Sequence, residues 1–207
     1  MTKEILFSED SYTIQKHYGI PKEAFSFLES ISWGNEGAIY EHKNTEEQIK
    51  LIKNPMLIGI FEGEEIRATA IFCRTSITTN NEQINCNYIR YFASSKEIRG
   101  KGVMKKFSIK VMELIRENEK EKTIYFASIE RENKSSYKVV ESAGYSPIGT
   151  VKTIGFSRFF PKKNKNISQI SSQEEKEEVL DLLKKKYSQH TLVQFDALFL
   201  NNNYYVI

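Results

Sequence analysis

The chain has 207 residues, 40% hydrophobic and 28% charged, with 30 basic residues against 27 acidic ones and a formal net charge of +3. That size suits one compact domain with an appendage, or two small ones, and it is large enough to bury a core without a metal or disulfide staple. The balance of charge is too mild to make nucleic acid a main partner, and it does not repel an anionic ligand.

Two cysteines, Cys73 and Cys86, are too few for a secreted disulfide framework and read as small buried thiols in a reducing compartment. The opening MTKEILFSED lacks the apolar stretch of a signal peptide. No apolar run approaches the ~18 residues of a membrane helix. A cytoplasmic, soluble protein with no membrane partner is expected.

Residues 3–8 read as a short strand. Pro21 then opens a helix at its favoured first position, with Ala24, Phe25, Phe27, Leu28 and Ile31 on one face and an end near Trp33 and Gly34. A second helix begins at Asn44 and Thr45, where Thr45 and Gln48 have capping-box spacing, and Asn54-Pro55 stops it. Three β-rich segments follow, at residues 56–62, 66–79 and 84–93, separated by turns at Gly63 and at Asn80-Asn81. They predict an antiparallel meander.

The period then changes. Val103, Met104, Phe107, Val111, Leu114 and Ile115 fall on one side of a helix over residues 100–118. Residues 123–129 predict a buried strand, and residues 135–143 a short helix closed by Gly144. Residues 149–160 predict another strand. After Pro161 the composition shifts to a linker, followed by a charged amphipathic helix over residues 173–187 that carries Val179, Leu180, Leu182 and Leu183. Residues 195–200 and 204–207 are apolar again.

The chemically informative run is YIRYFASSKEIRGKGVMKK, residues 88–106: a strand, a turn holding Arg99, Gly100 and Gly102, then a helix. Glycines let that turn fold tightly. The first amides of the helix have no partners within it, and the helix dipole adds partial positive charge, so the corner suits a pyrophosphate. Arg99 and Lys101 add full charges beside it. Neither G-x-x-x-x-G-K-[ST] nor G-x-G-x-x-G is present, which disfavours ATP and dinucleotide sites.

The run from Arg99 to Met104 resembles the acetyl-CoA signature [R/Q]-x-x-G-x-[G/A] of the Gcn5-related N-acetyltransferase (GNAT) family, with Arg99 and Gly102 matching and Met104 departing from the small last residue. A second block, Glu132-Asn133 followed by Val140-Glu141-Ser142-Ala143-Gly144-Tyr145, resembles the family's E-N…Y-E-x-x-G-F run. The resemblance covers residues 3–160. It implies a mixed α/β fold, a central, mostly antiparallel twisted sheet flanked by helices, and acetyl transfer from acetyl-CoA to an amine without a metal. Arg99, Gly100, Lys101, Gly102, Val103 and Met104 would hold the pyrophosphate. Phe92, Ala93 and Ser94 would pair with the pantetheine arm, and Asn133 would contact it.

The same resemblance raises a difficulty. The family's acid, a tyrosine seven residues after the asparagine, is replaced by Val140. Tyr137, one helical turn earlier, is the candidate substitute. Glu130, with Glu132 beside it, is the candidate base. Tyr145 reads as core. His17, His42 and His190 read as surface or structural residues, with no partner at catalytic or metal spacing.

The acceptor pocket is expected in residues 30–42, where Trp33 and Tyr40 would line it and Glu36 or Glu41 would attract a cationic amine. The acceptor, a small-molecule or peptide amine, the acyl chain length and a homodimeric state all stay open. The competing reading is a non-catalytic acyl-CoA-binding or regulatory module, and Val140 favours it. Residues 161–207 form an extension: either residues 204–207 close the sheet beside residues 149–160, or a second acetyltransferase-like domain begins here, which is the favoured reading.

Overall fold

The computed structural model describes residues 2–35, 38–52, 54–79, 82–119, 121–150, 168–187 and 205–206. They gather into two compact units, one within Met1–Ser76 and Ile84–Ser146, the other within Ile77–Gln83 and Pro147–Ile207.

The first unit is built on a six-stranded sheet. In chain order its strands are β1 (Thr2–Glu9), β2 (Tyr12–Tyr18), β5 (Pro55–Glu62), β6 (Glu65–Thr79), β7 (Glu82–Ser94) and β8 (Thr123–Ala127), and that is also their spatial order. A separate small hairpin, β3 (Ser32–Asn35) and β4 (Ala38–Glu41), pairs antiparallel with Trp33 opposite Tyr40. The pairs β1–β2, β2–β5 and β5–β6 are antiparallel, whereas β8 joins β7 in parallel. A parallel neighbour demands a crossover, and the helix α3 (Val103–Asn118) supplies it.

Both faces of the sheet are covered. On one, α1 (Lys22–Glu29) and α2 (Thr45–Lys50) bury Ala24, Leu28 and Ile49 against Leu57, Ile71, Tyr91 and Ala93. On the other, α3 buries Phe107 and Val111 against Ile58, Ile60, Ala68, Ala70 and Phe72. Each such side chain contributes about 1.5–3 kcal/mol on burial, so the alternation of apolar residues along β5 and β6 fixes the sheet between its helices. The helix α4 (Lys134–Ser142) packs beside α3. Arg116 of α3 donates to the Ala143 carbonyl at 3.2 Å, at the end of α4, and Gly144 follows at φ 89°. A Cβ there would meet the movable end of the Arg116 side chain at 2.7 Å, so it is the positive φ that calls for glycine at this turn.

The N-terminal elements depart from expectation in three places. The strand β2 escapes a sequence reading because its apolar residues are interleaved with Gln15, Lys16 and His17. Gln15 and His17 are nonetheless buried, with the His17 ring stacked on Phe61 at 5.4 Å and its Nε2 3.3 Å from Gln15 Oε1. The first helix stops at Glu29, well before Trp33, because Ser32 enters the hairpin. The capping box at Thr45 does not form. Asn44 is the cap residue, in a left-handed conformation, and the Thr45 amide donates instead to Glu29 Oε1 at 3.0 Å.

In the second unit, α5 (Gln173–Lys186) has a complete capping box, with Ser172 and Glu175 bonded reciprocally. The short strands β9 (Ser168–Gln169) and β10 (Tyr205–Val206) pair antiparallel. The strand expected after Gly149 and the apolar segment at residues 195–200 lie outside the described residues.

Candidate active site

The strands β7 and β8 run side by side from Asn85 opposite Thr123 to Ile89 opposite Ala127. Tyr88 lies flat on Phe126, with ring centroids 4.7 Å apart, and this locks the last pairs together. Beyond Ile89, β7 continues to Ser94 while β8 has ended. One edge of β7 therefore presents backbone donors and acceptors with no strand beside them.

A bulge sits at the start of this free edge. Tyr91 has φ 50°, an outlier for a bulky residue. In a regular strand residues 89, 91 and 93 would share a face. Here Ile89 and Phe92 pack on the α3 side while Tyr91 and Ala93 pack on the α1 side. One additional residue has reset the alternation, as a β-bulge does. The Thr69 hydroxyl donates to the Tyr91 carbonyl at 3.0 Å and holds the strained residue.

The free edge leads into the glycine turn. A 3-10 turn at Lys96–Ile98 is followed by Gly100 at φ 75° and Gly102 at φ 76°, and Gly102 caps α3. A Cβ on either glycine would meet nothing within 4 Å, so the concavity outside is open and it is the backbone angle that calls for glycine. Lys105 and Lys106 donate their amides to the Gly102 carbonyl at 3.1 and 3.2 Å. Among the described residues, the amides of Gly102, Val103 and Met104 have no backbone acceptor. Arg99 folds back, its Nε and Nη2 donating to the Ser94 carbonyl at 3.1 and 2.9 Å. Its side chain thereby clasps the turn to the end of β7.

At the opposite end of the free edge lies a cavity of about 280 Å³, enclosed by β7, β8, α3, α4 and the β3–β4 hairpin. Of the residues singled out from sequence, Phe92, Glu130, Asn133 and Val140 line it, as do Trp33 and Tyr40. Ala93 packs into the opposite core at 5% exposure. Tyr137 is 42% exposed and is not among the lining residues. Glu41 lies outside the cavity, 3.8 Å from Lys43, and Glu36 lies outside the described residues. Asn133 caps α4, its Oδ1 accepting from the Ser136 amide at 3.0 Å, which leaves its side-chain amide as a donor toward the cavity.

The far wall is aromatic. The His42 ring meets Trp33, Tyr40 and Tyr91 edge-on, at 5.0, 5.5 and 5.3 Å. Tyr40 donates to Glu130 Oε1 at 3.4 Å and so ties the hairpin to the end of β8. Burial, then the Glu130 charge, raises the Tyr40 pKa. Burial, then the Arg90 charge, lowers that of His42. His42, read from sequence as a surface or structural residue, and Arg90, which sequence reasoning did not single out, both line the cavity. His42 gave no spacing signal, and Arg90 looked like one polar residue within a strand.

Two polar atoms in the walls are orphaned. Trp33 Nε1 and Ser108 Oγ are buried without a hydrogen-bond partner, and both residues line the cavity. A buried polar atom left unpaired costs about 1–3 kcal/mol, so a ligand or water that pairs with either of these gains on binding. Among the described residues no cluster of His, Cys, Asp or Glu could hold a metal ion, and no helix is long and apolar enough to cross a membrane.

The structure is thus a mostly antiparallel sheet with one parallel pair at its edge, a glycine turn at one end of the free β7 edge and a cavity at the other. Comparison with known proteins gives the family. Residues 22–148 match the family described as acetyltransferase (GNAT) domain, and the chain belongs to that family. No curated protein matches it. Among solved structures, a transcriptional regulator from Bacillus halodurans C-125 is 15% identical, with a TM-score of 0.51 over 69% of this chain and 99% of that one. A conserved protein of unknown function from Enterococcus faecalis V583, titled a probable N-acyltransferase, is 16% identical, with a TM-score of 0.56 over 92% of this chain and 49% of that one. The chain thus spans about half the length of the Enterococcus protein. These likenesses are of fold.

Proposed function

We propose that this chain is an N-acetyltransferase that moves an acetyl group from acetyl-CoA to the amine of a small acceptor. The observation that carries the reading is the continuity of three features: an open glycine turn at the N-terminus of α3, an unpaired edge of β7, and a cavity at the Tyr91 bulge. An acyl-CoA has the same three parts in the same order: a diphosphate, an amide-bearing arm and a thioester. The residues fit that group, since a strand edge pairs with amides and unpaired helix amides take a phosphate.

Acetyl-CoA supplies an activated thioester carbonyl, with the coenzyme A thiolate as leaving group. The amides of Gly102, Val103 and Met104, with Lys101 beside them, hold the diphosphate, while Gly100 shapes the turn. The backbone of Phe92, Ala93 and Ser94 pairs with the arm, and the Asn133 amide donates to it. Arg99 keeps the turn in register through the Ser94 carbonyl. A β7 amide at the bulge donates to the acetyl oxygen as negative charge builds there. Glu130, oriented by the Tyr40 hydroxyl, takes the proton from the amine.

Val140 stands on the cavity wall where a proton donor for the thiolate would be, and Tyr137 is the nearest alternative on the same helix. The thiolate can leave unprotonated, because an alkyl thiol pKa near 8.5 makes it a tolerable leaving group. Val140 also favours a second reading, a module that binds acyl-CoA without turnover. Calorimetry with coenzyme A, followed by thiol release from acetyl-CoA over an amine panel, tests both. Binding with release supports the enzyme, binding with no release from any amine supports the module, and no binding removes both. On the enzyme reading, residues 161–207 are an extension to the catalytic domain of residues 1–160, which we take as the opening of a second domain of the same kind.

A further inference from the structure

The cavity carries two donors that have no partner among the described residues. Arg90 lines the cavity with its guanidinium over two rings, 5.3 Å from the Tyr91 centroid and 5.9 Å from that of Tyr88. Three of the other described arginines are engaged. Arg67 is bound by Glu62 and Glu65, Arg99 by the Ser94 carbonyl and Arg116 by the Ala143 carbonyl. Among the described residues Arg90 has neither an ion pair nor a hydrogen-bond acceptor. Arg90 is exposed at the rim of the cavity, where the two tyrosine faces lie beside its guanidinium and leave its N–H fork to water or to an incoming anion. Trp33 Nε1 is the second donor. It can only donate, it is buried, it has no partner, and its residue lines the same cavity.

Beside the neutral Ser108, Ser128, Asn133 and Ser136, two titratable groups complete the polar lining. Glu130 is the carboxylate, held by Tyr40, and His42 is an imidazole ringed by aromatics. A pocket for a plain alkyl amine has no use for an arginine, since its charge raises the cost of bringing in an ammonium ion. A pocket for an amine that also bears an acid uses both signs, the carboxylate for the amine and the guanidinium for the acid.

On the N-acetyltransferase reading given above, we propose that the acceptor is an amine carrying its own anionic group, a carboxylate or a phosphate, which Arg90 binds and the Trp33 indole N–H supports. The cavity of about 280 Å³ suits a small molecule of this kind, of amino acid size, in preference to a folded partner. Arg90 and Trp33 are specificity residues here and take no part in proton transfer.

The test uses the full chain with acetyl-CoA and matched acceptors: the twenty amino acids against their decarboxylated amines, and phosphoethanolamine against ethanolamine. Turnover is followed by thiol release, and acceptor binding by calorimetry on the coenzyme A-loaded protein. One class of anionic member should exceed its neutral partner at least tenfold in kcat/KM or affinity, and whether it is the carboxylates or phosphoethanolamine identifies the anion. Arg90→Gln should raise KM for that member at least tenfold, with kcat and the KM for acetyl-CoA within twofold. Trp33→Phe, which keeps a ring and removes the donor, should raise it about threefold. Neutral members matching or exceeding anionic ones, equal losses on both in Arg90→Gln, or no anionic member binding at all would each overturn the proposal. A protein that ignores coenzyme A fails earlier, at the acetyltransferase reading itself, so the two failures are separable.

Discussion

The two ends of the β7 edge are built from different materials. The glycine turn is made of backbone: two positive-φ glycines and the unpaired amides at the start of α3, within a few consecutive residues. The cavity end is made of side chains that the chain delivers from afar, Trp33, Tyr40 and His42 from the hairpin region, Arg90 from β7 and Glu130 from beyond β8. A backbone cradle recognises a charge pattern shared by every acyl-CoA and tolerates drift in side chains. A side-chain pocket recognises one acceptor and changes with each substitution. On the proposed reading, the division would put cofactor binding on a short contiguous segment and acceptor choice on scattered positions.

The largest effect should come from filling the backbone end. Gly102→Glu sets a carboxylate where the diphosphate would sit, and calorimetry should show acetyl-CoA affinity falling at least ~100-fold, with the fold intact by circular dichroism. Gly102→Ala separates charge from strain. At φ 76° an alanine costs on the order of 1 kcal/mol, so affinity should drop only a few-fold. Equal losses in both variants would mean that backbone shape, and not an anion, is what the turn serves. At the side-chain end, Glu130→Gln keeps the Tyr40 contact and removes the base. Thiol release should fall roughly 100-fold in kcat, with acetyl-CoA affinity unchanged. An unaltered kcat would shift the base to another group.

The contrast also explains what a reader of the sequence can and cannot see. The strands β5, β6 and β7 were legible because each is a long apolar, β-branched run bounded by turn residues, and the helix α3 because its apolar residues recur at the helical period. The glycine turn was legible because its chemistry is contiguous. The strand β2 was not, since Gln15 and His17 sit inside the sheet on bonds that only the neighbouring strands reveal. Nor was the end of α1 legible, because whether residues 32–35 stay helical depends on pairing with β4. His42 and Arg90 could not be recognised as site residues, because what brings them together is the hairpin and a one-residue bulge at Tyr91, a positive φ that no residue type announces.

A smaller effect is expected at Val140, on the cavity wall. Val140→Tyr places a phenol on the cavity wall, the kind of donor that a departing thiolate can use. If proton delivery limits the rate, kcat should rise roughly tenfold, with its basic limb extended toward the tyrosine pKa. A variant that binds acetyl-CoA normally and gains nothing would show that the wild-type thiolate leaves without help.

The smallest effect is electrostatic, and it probes whether Arg90 is felt across the cavity. His42 faces Arg90 and Tyr91 from β7 and Tyr40 from β4, with Glu130 behind Tyr40. Burial and then the Arg90 charge hold its pKa below the ordinary 6.5. The folded state therefore binds this proton less readily than the unfolded chain, and the resulting contribution to stability is present above pH 6.5 and diminishes as the pH falls from there through the folded pKa. NMR titration of the His42 ring should place its midpoint below 6.5 in the wild type and move it upward in Arg90→Gln, because a repelling charge has gone. His17 supplies the internal reference: its pKa is lowered by burial and by Lys3, with Glu23 opposing, so the Arg90 substitution should leave it in place. A His42 midpoint that does not move would put the Arg90 guanidinium in bulk solvent, and the acceptor end would then hold a carboxylate with no cation to oppose it.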